Sequence, residues 1–385
     1  MDMTWEDILP AERRERRRLA HGFPCGVKAY RQNRSLIVVP PTKRWRALSN
    51  GAFNGGFMDS PKAVTNTTSL GGSAERHMMA SPREEHMRYC DRCAAALGLD
   101  PEKTVGLGTA AHMDNAAFGY AEHDGIGICA AVTGGIRGNG GRAGDPSSWD
   151  EAERYRDRSG TIVIILAVCA DLPDSALLGA MTTATEAKTA VLTRLQGRSL
   201  YSTGVATGSG TDQVAVMCDK GSKRKAEAYR TGSGLAKAIK RCVEETLAEA
   251  LDLQSGMSLS DQCNPYVAIS RYKITEMSCH EQIRYPFTMK VLREGVKRLS
   301  SDAKAAATAS AALHIMDEVG WGLIPAEQGR AACRGVLRTA LSGPSSRDPV
   351  LRAVFEKTSE PEDMLRVWMA MLLYDEAAKI KAGGS

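Results

Sequence analysis

The sequence predicts an α/β fold, a mixed sheet with flanking helices, followed by an all-α C-terminal domain. Two observations carry this. Up to about residue 220, short runs of β-branched and aliphatic residues alternate with glycine turns. Beyond the basic stretch Lys220-Gly221-Ser222-Lys223-Arg224-Lys225 those runs vanish, and helical periodicity continues to Lys381. A polar, helix-prone leader precedes both, so the chain divides into residues 1–33, 34–220 and 225–385.

Within the middle part, Ser35 to Val39 reads as a strand stopped by Pro40-Pro41. Arg46 to Gly56 reads as a strand running into a glycine turn. A helix is expected over 82–97, opened by Pro82 and closed by Gly98. Thr104 to Thr109 and Gly125 to Thr133 look like buried strands, the second followed by a glycine-rich loop from Gly134 to Gly144. Gly160 to Val168 is apolar almost throughout, which predicts a strand buried on both faces. Asp171-Leu172-Pro173-Asp174 then opens a helix running to about Leu195, with an acidic cap and proline near its first turn. Gln213 to Cys218 returns as a strand. Helices are expected over 225–254, 276–299, 302–319, 326–341 and 361–381, punctuated by prolines.

Composition narrows the class. A hydrophobic fraction of 43% over 385 residues suffices for sizeable cores, and a net charge of +5 is mild for that length. The run Arg13-Arg14-Glu15-Arg16-Arg17-Arg18 is broken by glutamate and lacks interleaved aromatics, so it reads as a solvated surface rather than a nucleic-acid patch. The N-terminus has no apolar secretory core, and the longest apolar run, Ile162 to Ala170, is too short to span a bilayer. The expectation is a soluble cytoplasmic protein with no nucleic-acid or membrane partner. Ten cysteines then read as reduced thiols, with Cys129, Cys169 and Cys218 as small hydrophobes inside strands. His86, Cys90 and Cys93 share one helix face, but nothing completes a four-ligand set, so helix packing is the reading and no metal is assigned.

Four segments combine glycine, threonine and a single charged or amide group: Asn54-Gly55-Gly56, Thr133-Gly134-Gly135, Thr182 to Lys188, and Thr207 to Asp212. Glycine lets backbone approach a ligand, and threonine supplies a compact donor and acceptor. Nucleotide phosphate motifs are absent. Projected on a helix, Leu177, Met181, Ala184, Lys188, Val191 and Leu195 form one stripe. Lys188 must therefore find a partner, either in a structural ion pair or in a site. Glu186 points to the opposite, threonine-bearing side, which faces solvent or a large polar ligand.

Such a constellation suits amide hydrolysis, which needs an activated water or nucleophile and a holder for the oxyanion. The catalytic candidates are Glu186 and Asp212 as base, Asn54 or the Gly55 and Gly56 amides as oxyanion holder, and Lys188. Thr207, Ser209 and Thr211 are the candidate hydroxyl nucleophiles, and Cys129 is a remote one. Substrate-binding candidates are Gly55, Gly56, Thr109, Thr133, Thr185, Thr207, Thr211 and His112; the last reads more readily as a satisfied core histidine than as an acid or base. No GxSxG elbow points to a serine hydrolase of that kind.

Gly160 to Asp171, Thr183-Ala184-Thr185-Glu186-Ala187-Lys188-Thr189-Ala190 and Ala206-Thr207-Gly208-Ser209-Gly210-Thr211-Asp212, joined by Ser49 to Gly56 and Val105 to Ala111, resemble the adenosylcobinamide amidohydrolase family. The resemblance covers about residues 35–220. It implies cleavage of the amide joining a corrinoid's propionate arm to aminopropanol, giving adenosylcobyric acid for cobalamin salvage. The corrinoid is substrate, and no cofactor is called for. The loop from Thr133 to Gly141 looks expanded relative to the family. Residues beyond 225 lie outside the resemblance, as lid, homo-oligomer contact or separate module. A corrinoid or tetrapyrrole carrier is the rival reading, but the DxHxxG signature of cobalt-ligating carriers is missing. An amidohydrolase acting on another substrate is a further rival.

Overall fold

The computed structural model describes residues 15–68, 83–146, 160–227, 229–281 and 287–383. They fall into two compact units, Met1–Met257 and Ser258–Ser385. The first contains strands β1 (Arg18–Gly22), β2 (Lys28–Gln32), β3 (Ser35–Val39), β4 (Trp45–Ser49), β5 (Gly56–Asp59), β6 (Ala63–Thr68), β7 (Thr104–Thr109), β8 (Ala117–His123), β9 (Ile126–Gly134), β10 (Gly140–Gly141), β11 (Ile162–Val168), β12 (Gly208–Ser209) and β13 (Gln213–Asp219). Its helices are α1 (Arg83–Ala96), α2 (Asp174–Arg194) and α3 (Gly234–Ser255).

Six strands form one sheet in the order β5-β4-β13-β11-β9-β8, and five form another in the order β1-β2-β3-β6-β7. β11 lies between β9, antiparallel to it, and β13, parallel to it. All its residues are buried, because its two faces serve two cores. Val163, Ile165 and Ala167 meet Leu36, Val38, Val64 and Val105 of the five-stranded sheet. Ile162, Ile164, Leu166 and Val168 meet α2 and α3. Full burial contributes roughly 1.5–3 kcal/mol per large aliphatic side chain, so this strand anchors the unit. α1 packs on the outer face of the five-stranded sheet, where Leu97 meets Ile37 and Ala63. The order is helix, sheet, sheet, helix pair.

The mixed sheet and flanking helices agree with the fold class read from the sequence, and a helical C-terminal region follows. Two boundaries differ. Residues 18–32 are strands, not part of a helical leader, and β1 and β2 form a hairpin with Ala29 in the inter-sheet core. Their arginines hide the two-residue alternation, but charge along an edge strand also blocks unwanted pairing. The first fourteen residues of that leader lie outside the described residues. The division between units also falls near 257 rather than 220. α3 opens at the N-cap Ser233 instead of at 225, and it buries Ile239, Val243 and Leu247 on the sheet. Asp171 does not cap α2; its carboxylate takes Lys220, and Pro173 is the N-cap.

The second unit is helical. It comprises α4 (Leu259–Gln262), α5 (Pro265–Ile269), α6 (Glu276–His280), α7 (Met289–Leu299), α8 (Ala303–Gly320), α9 (Ala326–Arg338), α10 (Pro349–Lys357) and α11 (Pro361–Gly383). The single helix expected over 276–299 is two. α6 stops at His280, and Thr288 caps α7, just beyond Pro286, which cannot sit mid-helix. α11 is buried on most sides around Trp368, which makes it the central helix of this unit. None of the described helices is long and apolar enough to cross a membrane.

Candidate active site

β11 and β13 run parallel, so the segments that lead into them lie side by side at one end of the sheet. Asp212 sits there as the acceptor of four donors. Its Oδ1 accepts from Ser209 Oγ at 2.6 Å and from the Ile162 N–H at 3.1 Å. Its Oδ2 accepts from the Ser209 N–H at 2.9 Å and from Lys188 Nζ. Lys188 arrives from the buried stripe of α2, and both charged side chains are only about one-tenth exposed (10% and 11%). A pair so withdrawn from water is tolerable because every carboxylate oxygen is satisfied.

The local sequence builds this cluster for steric reasons. A Cβ at position 208 would stand 2.2 Å from Asp212 Oδ2 and 2.6 Å from Lys188 Nζ, so only glycine leaves room for the pair. Thr211 Oγ1 donates to the Gly160 carbonyl at 3.2 Å, and the Thr161 hydroxyl lies 2.6 Å from it. Thr189 donates to the Thr207 carbonyl at 3.2 Å, tying α2 to the same loop. Asn50, at the end of β4, donates to the Asp212 carbonyl at 3.3 Å and accepts from the Val214 N–H at 2.7 Å. Three of the motif segments therefore meet: the start of β11, the inner face of α2 and the loop from Thr207 to Asp212.

A cavity of about 210 Å³ opens beside them. Thr161, Thr211 and Gln213 form its end, Thr65, Thr67, Gly106 and Gly108 its floor, and Phe53 one wall. α1 roofs it with His86, Tyr89, Cys90 and Cys93. The helix face singled out for His86, Cys90 and Cys93 is thus a cavity wall, with Cys90 Sγ 3.7 Å from His86 Nε2. Burial pushes the Cys90 thiol up to about 12, so it stays protonated near neutrality. Lys188, Asp212 and Ser209 do not line the cavity; it stops at Thr211, whose N–H donates to Ser209 Oγ at 3.2 Å.

The other candidates do not converge on Asp212. Glu186 is exposed on the outer face of α2 and pairs with Lys240 of α3 at 3.0 Å. Asn54 spends its side-chain N–H groups on the Pro101 and Thr104 carbonyls, both at 2.8 Å, so it braces a turn rather than holding an oxyanion. Gly55 and Gly56 belong to that turn, Gly56 at φ +87°. Thr133 is buried and accepts from Asn66 Nδ2 at 2.9 Å. Thr109 lines the cavity, while its hydroxyl accepts from the Ala111 N–H at 3.0 Å. His112 is exposed, neither a core histidine nor part of the cluster, and its backbone N–H donates to Gln254. Thr185 is exposed and lies with Glu186, Leu178 and Met181 along an open groove on α2. Thr207 and Thr211 flank the Asp212 loop, Thr207 accepting from the Ala143 N–H at 2.9 Å. Thr161 and Asn50 stood inside the motif segments without being given a role, and Gln213 was read only as the start of a strand; each enters the site through contacts between segments distant in sequence.

Comparison with known proteins gives the family. The model of the family described as adenosylcobinamide amidohydrolase matches residues 22–259, which reaches through α3 and so beyond the span of the sequence resemblance. An uncharacterised protein of Methanocaldococcus jannaschii is 35% identical over 175 residues, covering 41% of this chain and 68% of that protein. Among solved structures, a protein of Pyrococcus horikoshii OT3 aligns at 14% identity and TM-score 0.31, covering 62% of this chain and 82% of its own. A β-aminopeptidase of Burkholderia aligns at 13% identity and TM-score 0.28, covering 58% and 80%. The family match spans more than half of the sequence and the whole Asp212 neighbourhood: the chain belongs to the adenosylcobinamide amidohydrolase family and is a hydrolase acting on amide bonds.

Proposed function

We propose that the chain hydrolyses the amide between the propionate arm of adenosylcobinamide and aminopropanol, releasing adenosylcobyric acid and aminopropanol for cobalamin salvage. The observation that carries this reading is the Ser209 hydroxyl donating to the Asp212 carboxylate beside Lys188. Ser209 Oγ attacks the amide carbon, and its proton passes to Asp212 Oδ1 and on to the leaving amine. Lys188 has ammonium hydrogens beyond the one given to Asp212, and it stabilises the oxyanion. Water then cleaves the seryl ester to free the acid and regenerate Ser209. A carboxylate tied to several donors orients the hydroxyl as well as receiving its proton. The cavity ending at Thr211 is far smaller than a corrin ring, so the ring stays outside it while the side arm crosses Thr211 to reach Ser209. The cobalt belongs to the substrate. We place the activity in the cytoplasm, in keeping with ten unpaired cysteines.

Incubation with adenosylcobinamide should release aminopropanol. Ser209→Ala is expected to lower kcat by at least about a hundredfold while the chain stays folded. Tight binding of the corrinoid without release would favour a carrier instead. Wild-type turnover in Ser209→Ala would transfer the attack to water or Thr211. Glu186→Gln removes one exposed ion pair, of the kind worth about 0–1 kcal/mol, and should leave kcat within about threefold of wild type. A collapse of turnover in that variant would return Glu186 to the mechanism.

A further inference from the structure

A group of three thiols lies at the end of β11 opposite to Asp212, in no contact with the proposed chemistry. Cys25 stands in the tight turn between β1 and β2, where the Gly26 N–H donates to the Phe23 carbonyl and Gly26 adopts φ +85°. Cys129 projects from β9 into the inter-sheet core. Cys169 follows β11 directly, its N–H held by the Gly127 carbonyl at 2.8 Å. Their sulfurs all lie within 4.8 Å of one another, and Cys25 Sγ is 3.1 Å from Cys129 Sγ. Among the described residues this is the one cluster of three or more cysteine, histidine or acidic ligands so close together.

We propose that Cys25, Cys129 and Cys169 form a binding site for a zinc-class metal ion, held by three thiolates with a fourth position open toward solvent. The donor set is one that borderline and soft ions select, and hard ions such as magnesium do not. Zinc–sulfur bonds of about 2.3 Å imply sulfur–sulfur separations of roughly 3.8 Å in a tetrahedron, so the triad needs shifts of only about 1 Å. A buried cysteine is usually a small hydrophobe, and Cys218, Cys242, Cys279 and Cys333 fit that reading, for none of them joins such a group. The triad differs because three elements from both sheets deliver their sulfurs to a single point. Cys129 is buried, whereas Cys25 and Cys169 are half-buried, which leaves the fourth position reachable. An ion there would fasten the β1–β2 hairpin to the six-stranded sheet, and so play a structural part in the enzyme.

The test uses the full chain, reduced and stripped of metal, titrated anaerobically with cobalt(II) as an optical stand-in for zinc. One equivalent should develop a thiolate charge-transfer band, zinc should displace it, and the thermal midpoint should rise with zinc concentration. Cys25→Ser and Cys169→Ser change half-buried positions, so they should fold, and each should weaken binding at least tenfold. A Cys90→Ala/Cys93→Ala double variant should bind as wild type, since the α1 thiols are not part of the triad. The proposal is overturned by an absent band, by a band that survives both serine variants, or by mass spectrometry showing that the chain, exposed to air with zinc present, is oxidised by dioxygen to a Cys25–Cys129 disulfide in place of keeping the metal.

Discussion

Asp212→Asn is expected to lower turnover of adenosylcobinamide by at least about a thousandfold and to destabilise the α/β unit by about 3–5 kcal/mol. Both effects have one origin. The carboxylate is the common acceptor for Lys188, the Ser209 hydroxyl and two backbone amides. An asparagine keeps one acceptor oxygen but presents an NH₂ to donors on its other side, and it leaves the Lys188 ammonium buried without a counter-charge. Lys188→Met is the complementary change. It removes the cation, fills similar volume and leaves Asp212 three donors, so it should cost less stability but as much activity. The double variant Lys188→Met/Asp212→Asn should regain part of the stability and none of the turnover. Measurement needs urea unfolding alongside aminopropanol release. Stability losses that simply add, or an Asp212→Asn variant with wild-type kcat, would dissolve the cluster as a functional unit.

Gly208→Ala should be nearly as damaging to catalysis, although it alters no charge. The added methyl meets Asp212 Oδ2 and Lys188 Nζ at distances no real contact tolerates. Neither side chain can swing away freely, because the carboxylate is tied to Ile162 and Ser209 and the ammonium sits under α2. The pair must separate or the β12 loop must lift, and either displaces Ser209 Oγ. A shift of about 1 Å in a reacting group can cost on the order of a hundredfold in rate. The expected result is a kcat reduced about a hundredfold with KM changed much less. A variant with unchanged kcat would show that the Ser209–Asp212 hydrogen bond is not what carries the reaction.

Much of this was legible before any coordinates. The unbroken apolar run at β11 announced burial on two faces, and the stripe through Leu177, Ala184 and Lys188 announced a cation that must find a partner. That partner proved to be Asp212, in the loop already suspected. The helical projection already put Glu186 and Lys188 on opposite sides of α2; what the sequence could not convey was what each side meets. Glu186 and Lys188 stand two positions apart in one motif, and only the packing of α2 decides that one faces Lys240 in solvent and the other the inner loop. Asn54 looked like a free amide because the carbonyls that occupy it, Pro101 and Thr104, are distant in sequence. The hairpin of β1 and β2 was obscured by arginines that suggest a helix, and the thiol triad by three cysteines that each resemble ordinary core filler.

The pairing of β4 with β13, Ser49 opposite Ala215 and Leu48 opposite Val216, has a consequence for how the molecule is born. A nascent chain that has emerged only through β11 lacks the neighbour that joins β4 and β5 to the rest of their sheet. It also lacks α3, which covers β8 and β9 from one side. The five-stranded sheet has all its strands by Thr109, but the six-stranded sheet must wait for β13 and for α3, which ends at Ser255. Until then β11 has β9 along one edge but neither β13 along the other nor α3 over its face.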